Sequence, residues 1–150
     1  MLLDPSTLPG RPCSLAAALE VVGDRWALLA VREVTYGNHQ FSQIARNTGA
    51  PRDRLAARLK DLVAAGVLTR GPARHDGYHL TEAGRDLGTA MRALLDWGDR
   101  WAVTKPPVRL RHHDHDLAAK TVCETCGEDV DGADVTREQL APGWTAAGPR

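Results

Sequence analysis

Apolar residues recur at helical spacing through the first hundred positions of the chain. Leu15, Ala18, Leu19 and Val22 fall at i, i+3, i+4 and i+7, which predicts a helix from Ser14 to Val22 that Gly23-Asp24 breaks. From Trp26 to Val34, Trp26, Leu29 and Ala30 share a stripe flanked by Leu28 and Val31, and an apolar surface that broad predicts a helix buried on most sides. Tyr36 to His39 reads as a turn. Ser42 is expected to cap a short helix ending at Thr48, with Ile44 and Ala45 inward. Gly49-Ala50-Pro51 follows, and Pro51 suits a first helical position because its missing N–H would be unpaired there anyway. Leu55, Leu59, Leu62 and Val63 then form one stripe, and Gly66 is placed to end that helix as its C′ residue.

The period changes after Gly66. Val67 to Arg70 and Gly77 to Leu80 are short strand candidates, joined by a Gly/Pro-rich segment ending in Asp76-Gly77, a hairpin composition. Thr81 is expected to cap a long helix from Glu82 to about Val103, interrupted at Gly98. Its stripe of Leu87, Met91, Leu94, Leu95 and Trp101, with Trp97 beside it, is too extensive for a core that already holds four helices. A second subunit is the natural cover. Lys105-Pro106-Pro107 would end any helix, so the expected division is a core of residues 1–104 and a tail of 105–150.

Charge sharpens that division. The 19 Lys and Arg equal the 19 Asp and Glu, but residues 1–111 carry 16 basic and 11 acidic side chains, and 112–150 carry 3 and 8. A basic core with an acidic tail points to a polyanionic partner for the core. Between Ser42 and Arg85 there are eight basic and four acidic residues, so the surplus gathers where a short helix, a Gly-containing turn, a second helix and a hairpin follow one another. That order is a winged helix-turn-helix.

On the second helix the face opposite Leu55, Leu59 and Leu62 carries Asp53, Arg54, Ala57, Arg58 and Asp61. Arginines flanking a small alanine can approach a groove and fork onto guanine edges or phosphates, and Arg52 precedes them. Ser42 and Gln43 stand where helix-start N–H groups can hold phosphate. Arg70, Arg74 and His75 lie on the hairpin, in reach of DNA backbone or minor groove. The plainer reading of these charges is a solvated helix face. The expected fold is therefore mainly α with a small β component: a winged helix-turn-helix core, a long C-terminal dimerisation helix and a small β or zinc-ribbon-like tail.

As a set, these residues resemble a family. Cys13, Leu19 to Gly23, Arg25-Trp26-x-Leu28-Leu29, Phe41-Ser42-x-Ile44, Leu55-x-x-Arg58-Leu59-x-x-Leu62-x-x-x-Gly66-Val67-Leu68 and Tyr78-x-Leu80-Thr81-x-x-Gly84 look like the HxlR-type winged-helix regulators of bacteria, over about Cys13 to Trp101. The resemblance implies a homodimer built from the N-terminal and long C-terminal helices. It implies binding to a pseudo-palindromic operator in double-stranded DNA, with repression or activation of nearby genes, and no catalytic role. Thr48 to Arg52 lacks the usual Ser or Thr cap; Ala50 as N-cap is poorer than Ser by about 1 kcal/mol.

Three further features carry candidate chemistry. Cys13 stands at the start of the first helix two residues from Arg11, and both a helix N-terminus and a cation favour the reactive thiolate. Cysteine at this position senses quinones or oxidants in some members of the family; a small side chain packed at a dimer interface is the alternative. Trp26, Trp97 and Trp101 are three of the seven aromatic residues and either line a pocket for a flat small-molecule effector or pack in the core. In the tail, His112-x-x-His115 and Cys123-x-x-Cys126-Gly127 have the ligand count and pair spacing of one structural zinc per chain. The resemblance adds that longer family members carry His-x-x-Cys-Gly first, so that His115 here stands at that cysteine and Asp116 at that glycine. Apart from the resemblance, His113 is an alternative candidate ligand. A β-hairpin with two free thiols, or a Cys-x-x-Cys redox pair, are the other readings. Residues 139–150 are expected to fray.

Other classes receive less support. Met1 to Pro5 lacks the basic start and apolar stretch of a secretory signal, and no uncharged apolar run approaches the ~20 residues that span a bilayer, so no membrane partner and a cytoplasmic location are expected. Three cysteines do not make a disulfide framework. The sequence offers no Ser/His/Asp set, Gly-rich phosphate loop or paired carboxylates for an enzyme. A winged-helix module that binds protein through the same face is the competing reading.

Overall fold

Asp24 starts the central helix of the fold. Its Oδ1 accepts from the Trp26 N–H at 2.8 Å, and α2 (Arg25–Thr35) follows. In the computed structural model, which describes residues 2–73 and 75–150, α1 (Ser14–Val22) precedes it, and α3 (Phe41–Thr48) and α4 (Arg52–Ala64) come after. β1 (Leu68–Arg70) and β2 (Tyr78–Leu80) pair antiparallel, with Leu68 opposite Leu80 and Arg70 opposite Tyr78, and α5 (Glu82–Trp101) comes next. The chain divides into two units, residues 1–98 and 99–150, and the division falls within α5.

The core of the first unit follows the stripes in the sequence. Leu55, Leu59 and Leu62 of α4 are fully buried against Ile44 of α3 and Val31 of α2. Each contributes about 1.5–3 kcal/mol relative to an exposed side chain. On α2 the buried apolar positions are Ala27, Ala30, Val31 and Val34, while Trp26 is only half-buried, packed against that core. Small and β-branched residues on this face let α3 and α4 come close. Gly66 (φ 76°) ends α4: its N–H reaches Val63 O at 3.1 Å and the Val67 N–H reaches Leu62 O at 2.9 Å, satisfying two terminal carbonyls as expected of a C′ glycine.

Three local expectations are corrected. Gln40, not Ser42, is the N-cap of α3; Phe41 is already helical, and Gln43 Oε1 accepts the Gln40 N–H at 2.9 Å. Pro51 is the N-cap of α4 rather than its first residue, which moves Ala50 out of the cap and into the core. Gly98 does not interrupt α5, which runs on to Trp101; one interior glycine costs a helix about 1 kcal/mol, too little to break one that is 20 residues long.

Thr81 and Gly84 account for their own spacing. The Thr81 hydroxyl accepts the Gly84 N–H at 3.1 Å and donates to Gly66 O at 2.6 Å, so one side chain caps α5 and ties it to the end of α4. A Cβ on Gly84 would lie 2.2 Å from Val67 O, so only glycine lets the first turn of α5 pass there. Further along, Leu87 and Met91 pack on the core, but Leu94, Trp97 and Trp101 are each more than half exposed. Leu15 and Leu19 on α1 are equally uncovered.

The second unit is built of hairpins. β3 (Arg111–His112) pairs antiparallel with β4 (His115–Asp116), and Val122 bridges Asp129 across a second turn. Near the C-terminus, where fraying is expected, Trp144 bridges Pro149 and the Thr145 N–H reaches Gly148 O at 2.7 Å. No described residue from 99 to 150 is buried. Among the described residues no helix is long and apolar enough to cross a membrane.

Candidate nucleic-acid interface

A tight turn joins α3 to α4, and a buried carboxylate ties α3 to α2. Gly49 takes φ 68° at the end of α3, and Thr48 Oγ1 donates to Ile44 O at 2.7 Å, so the chain reverses within three residues. Glu33 is 3% exposed in the middle of α2. Its Oε1 accepts from Arg32 at 2.7 and 3.0 Å, and its Oε2 from Asn38 and Asn47, each at 2.9 Å. Asn47 belongs to α3, so this carboxylate fixes the first helix of the motif onto α2. Burial pushes the Glu33 acid up, but donation from Asn47 and Arg32, the Arg32 charge and Asn38 outweigh it and hold the group below its ordinary range.

With its apolar stripe buried, α4 presents the opposite face outward. Arg52 and Arg54 are exposed, and Arg52 lies over the Phe41 ring at 4.9 Å. Arg58 is half-buried and bonds Asp61 one turn on at 2.9 Å. A surface ion pair of this kind is worth about 0–1 kcal/mol, less than the 1–3 kcal/mol or so of a good base contact, so DNA can take Arg58 from Asp61. Ser42 is exposed in the first turn of α3, whereas Gln43 is half-buried with its oxygen engaged at the cap.

The wing is anchored at a point that local patterns do not reveal. The Tyr78 N–H donates to His39 O at 2.9 Å, and His39 Nδ1 donates back to Tyr78 O at 2.8 Å, extending the hairpin by a third short partner. A carbonyl can only accept, which fixes the His39 proton on Nδ1. The His39 ring stacks on His79 at 4.5 Å, and Gln40 Nε2 donates to His75 O at 2.6 Å. Gly77 (φ 74°) permits this approach, since a Cβ there would lie 2.4 Å from His39 O. Arg70 lies over the Tyr78 ring at 5.6 Å and the His75 side chain is exposed. Arg74 lies outside the described residues.

The remaining candidates are more scattered. Cys13 is the exposed N-cap of α1; the N–H groups of Ala16 and Leu15 face its thiol and, with Arg11, hold it below the usual thiol range despite an opposing effect of burial. Trp26 is packed on the core with Arg25 over its ring at 4.3 Å, while Trp97 and Trp101 are exposed. In the tail, His112 faces His115 with ring centroids 5.6 Å apart, and Cys123 and Cys126 share a tight turn. Among the described residues, no three His, Cys, Asp or Glu side chains gather into a metal cluster, so the histidine pair and the cysteine pair stand apart.

A two-helix unit with a buried stripe, an arginine face turned outward and an anchored hairpin define a winged helix-turn-helix of the DNA-binding kind. The profile of the HxlR-like helix-turn-helix family matches residues 21–106, and the chain belongs to that family. It is 44% identical over 142 residues, 89% of each chain, to an uncharacterized HTH-type transcriptional regulator of Mycobacterium tuberculosis (strain ATCC 25618 / H37Rv). The crystal structure of PA1607, a transcription-factor candidate, matches with a TM-score of 0.76 at 31% identity, covering 86% of this chain and 95% of the other. Quinone-bound YodB from B. subtilis matches with a TM-score of 0.52 at 26% identity, over 59% of this chain and 98% of YodB. The protein is accordingly a transcriptional regulator of the HxlR-like helix-turn-helix type.

Proposed function

We propose that two copies of the chain, joined through α1 and α5, bind a pseudo-palindromic operator, with α4 in the major groove and the wing on the flanking backbone. The observation that carries this reading is the outward side of α4, where exposed Arg54 and half-buried Arg58 lie outside the stripe of fully buried Leu55, Leu59 and Leu62, with Arg52 exposed in the first turn. In this arrangement Arg54 and Arg58 meet base edges or phosphates, Ser42 and the first turn of α3 meet phosphate, and Arg70, Arg74 and His75 meet backbone. The role is regulatory, with no reaction catalysed. Arg58→Ala is expected to cost about 1–3 kcal/mol in operator binding and to relax one operator position, as read by titration against a set of single-base variants. An equal loss on every variant would make Arg58 a phosphate contact instead.

Cys13 supplies the switch in this reading. YodB has been solved quinone-bound and reduced, and the N–H groups at the start of α1 favour the thiolate of Cys13. A thiolate adds to an activated ring carbon of a quinone, the new C–S bond pushing the electron pair of the ring C=C onto a ring oxygen that takes a proton from water, and the adduct changes α1 where the partner copy would pack. Blocking the thiols of the wild type is therefore expected to reduce operator affinity, with Cys13→Ser unaffected by the reagent. Unchanged binding after complete blocking would remove Cys13 as the switch and leave a small-molecule effector between Trp26, Trp97 and Trp101, assembled only when two chains meet.

A further inference from the structure

The second unit poses a stability problem of its own. It spans residues 99–150, yet none of its described residues is buried, and Val108, Val122, Val130, Val135 and Leu140 are all exposed. A unit this small with no apolar core cannot offset the entropy of ordering its backbone, about 1–2 kcal/mol per residue, without some other constraint. Disulfides are one such constraint, but the three cysteines are free.

The two hairpins carry donors suited to another. In the turn from Cys123 to Glu128, the Cys123 N–H donates to Glu128 O at 2.8 Å and the Gly127 N–H to Cys123 O at 2.7 Å. Gly127 takes φ 76°, a conformation that L side chains rarely adopt. A tight turn closed on itself by its own backbone bonds keeps Cys123 and Cys126 close together, as two thiolate ligands of a soft cation must be. On the other hairpin, His112 and His115 are direct cross-strand partners, which puts their rings on one side of the ribbon. His115 Nδ1 donates to Asp116 O at 2.9 Å, so its proton is on Nδ1 and the lone pair on Nε2 is available, the usual preparation of a metal-ligating imidazole.

We propose that Cys123 and Cys126, together with His112 and His115, bind one zinc-class divalent cation per chain, and that the cation folds the second unit. The pairs stand apart among the described residues, so binding draws the two hairpins together and metal affinity becomes folding energy. Two sulfur and two nitrogen ligands suit the tetrahedral preference of zinc and exclude calcium and magnesium, which take oxygen. This inference does not depend on DNA binding.

The test uses the full chain, reduced and freed of metal by a chelator, then titrated with cobalt(II) as the optical probe and with zinc(II) in competition. One equivalent per chain is expected, with a thiolate-to-cobalt charge-transfer band and the visible bands of a tetrahedral site. Cys123→Ser is expected to abolish the charge-transfer signal in large part. His115→Ala is expected to weaken binding more than about 100-fold, beyond the 10–100-fold that follows loss of a merely supporting group. Limited proteolysis should cut 99–150 without metal and spare it with metal, leaving 1–98 intact in both. Absence of the charge-transfer band, or affinity unchanged in Cys123→Ser, overturns the site; full affinity in a His112→Ala/His115→Ala double variant overturns its histidine half.

Discussion

Replacing Glu33 by alanine is expected to lower the folding stability of the first unit by about 1–3 kcal/mol, the range for removing one member of a buried hydrogen-bonded set. The loss goes beyond one contact: Arg32, Asn38 and Asn47 all donate to this carboxylate, and all three lose their acceptor, although the exposed Asn47 and the partly exposed Arg32 can turn to water. Glu33→Gln keeps the shape and one acceptor oxygen and is expected to lose less. Chemical unfolding of the three proteins measures the series. The pH dependence has a definite sign. The native acid lies below its ordinary value of 4.5, so Glu33 contributes stability that is fully present above that value and is lost as pH falls below it toward the depressed one. Removing the carboxylate should flatten that part of the stability–pH curve. Because Asn47 is in α3, operator binding should weaken as well, even at temperatures where the variant stays folded.

Trp97→Glu is the second large effect, and it acts on assembly. In one chain Trp97 is 59% exposed, so a carboxylate there costs the single-chain fold little. In a dimer that covers α1 and α5 the same carboxylate is buried against Leu94, Trp101 and the partner's apolar stripe. Burying an unpaired charge of this kind costs several kcal/mol, so the dimer dissociation constant should rise at least about 100-fold. Sedimentation of the two proteins over a concentration series reads this directly. Trp97→Phe, which keeps the apolar contact, should stay dimeric. A wild-type chain that is monomeric at all concentrations would remove the interface and, with it, the two-fold operator.

Much of this architecture was legible in the sequence because it rests on local rules. The stripe Leu55, Leu59, Leu62 and the C′ position of Gly66 define α4 to within a residue, and Thr81 with Gly84 marks the start of α5. Local rules fail where a residue's partner is distant. Ser42 satisfies every preference for a cap, but Gln40 takes the position because its amide also reaches the wing at His75 O. His39 reads as one residue of a turn until the hairpin folds back onto it. Glu33 could have been found: it sits between Ala30 and Val34 on the buried side of α2, and a carboxylate there needs donors, which Arg32, Asn38 and Asn47 provide. The arginine face was legible as a set of positions, but the Arg58–Asp61 pairing was not, because rotamers within an i, i+3 pair are decided by the surroundings.

Footprinting the wild-type protein on genomic fragments across a salt series shows whether the arginine face of α4 reads DNA. The prediction is one preferred site with two half-sites about one helical turn apart, an affinity that falls steeply as salt rises, and a shallower salt slope in Arg54→Ala if Arg54 meets phosphate. Binding with no preferred site at any salt would rule out operator reading by α4 and favour a winged helix that uses the same face to bind protein.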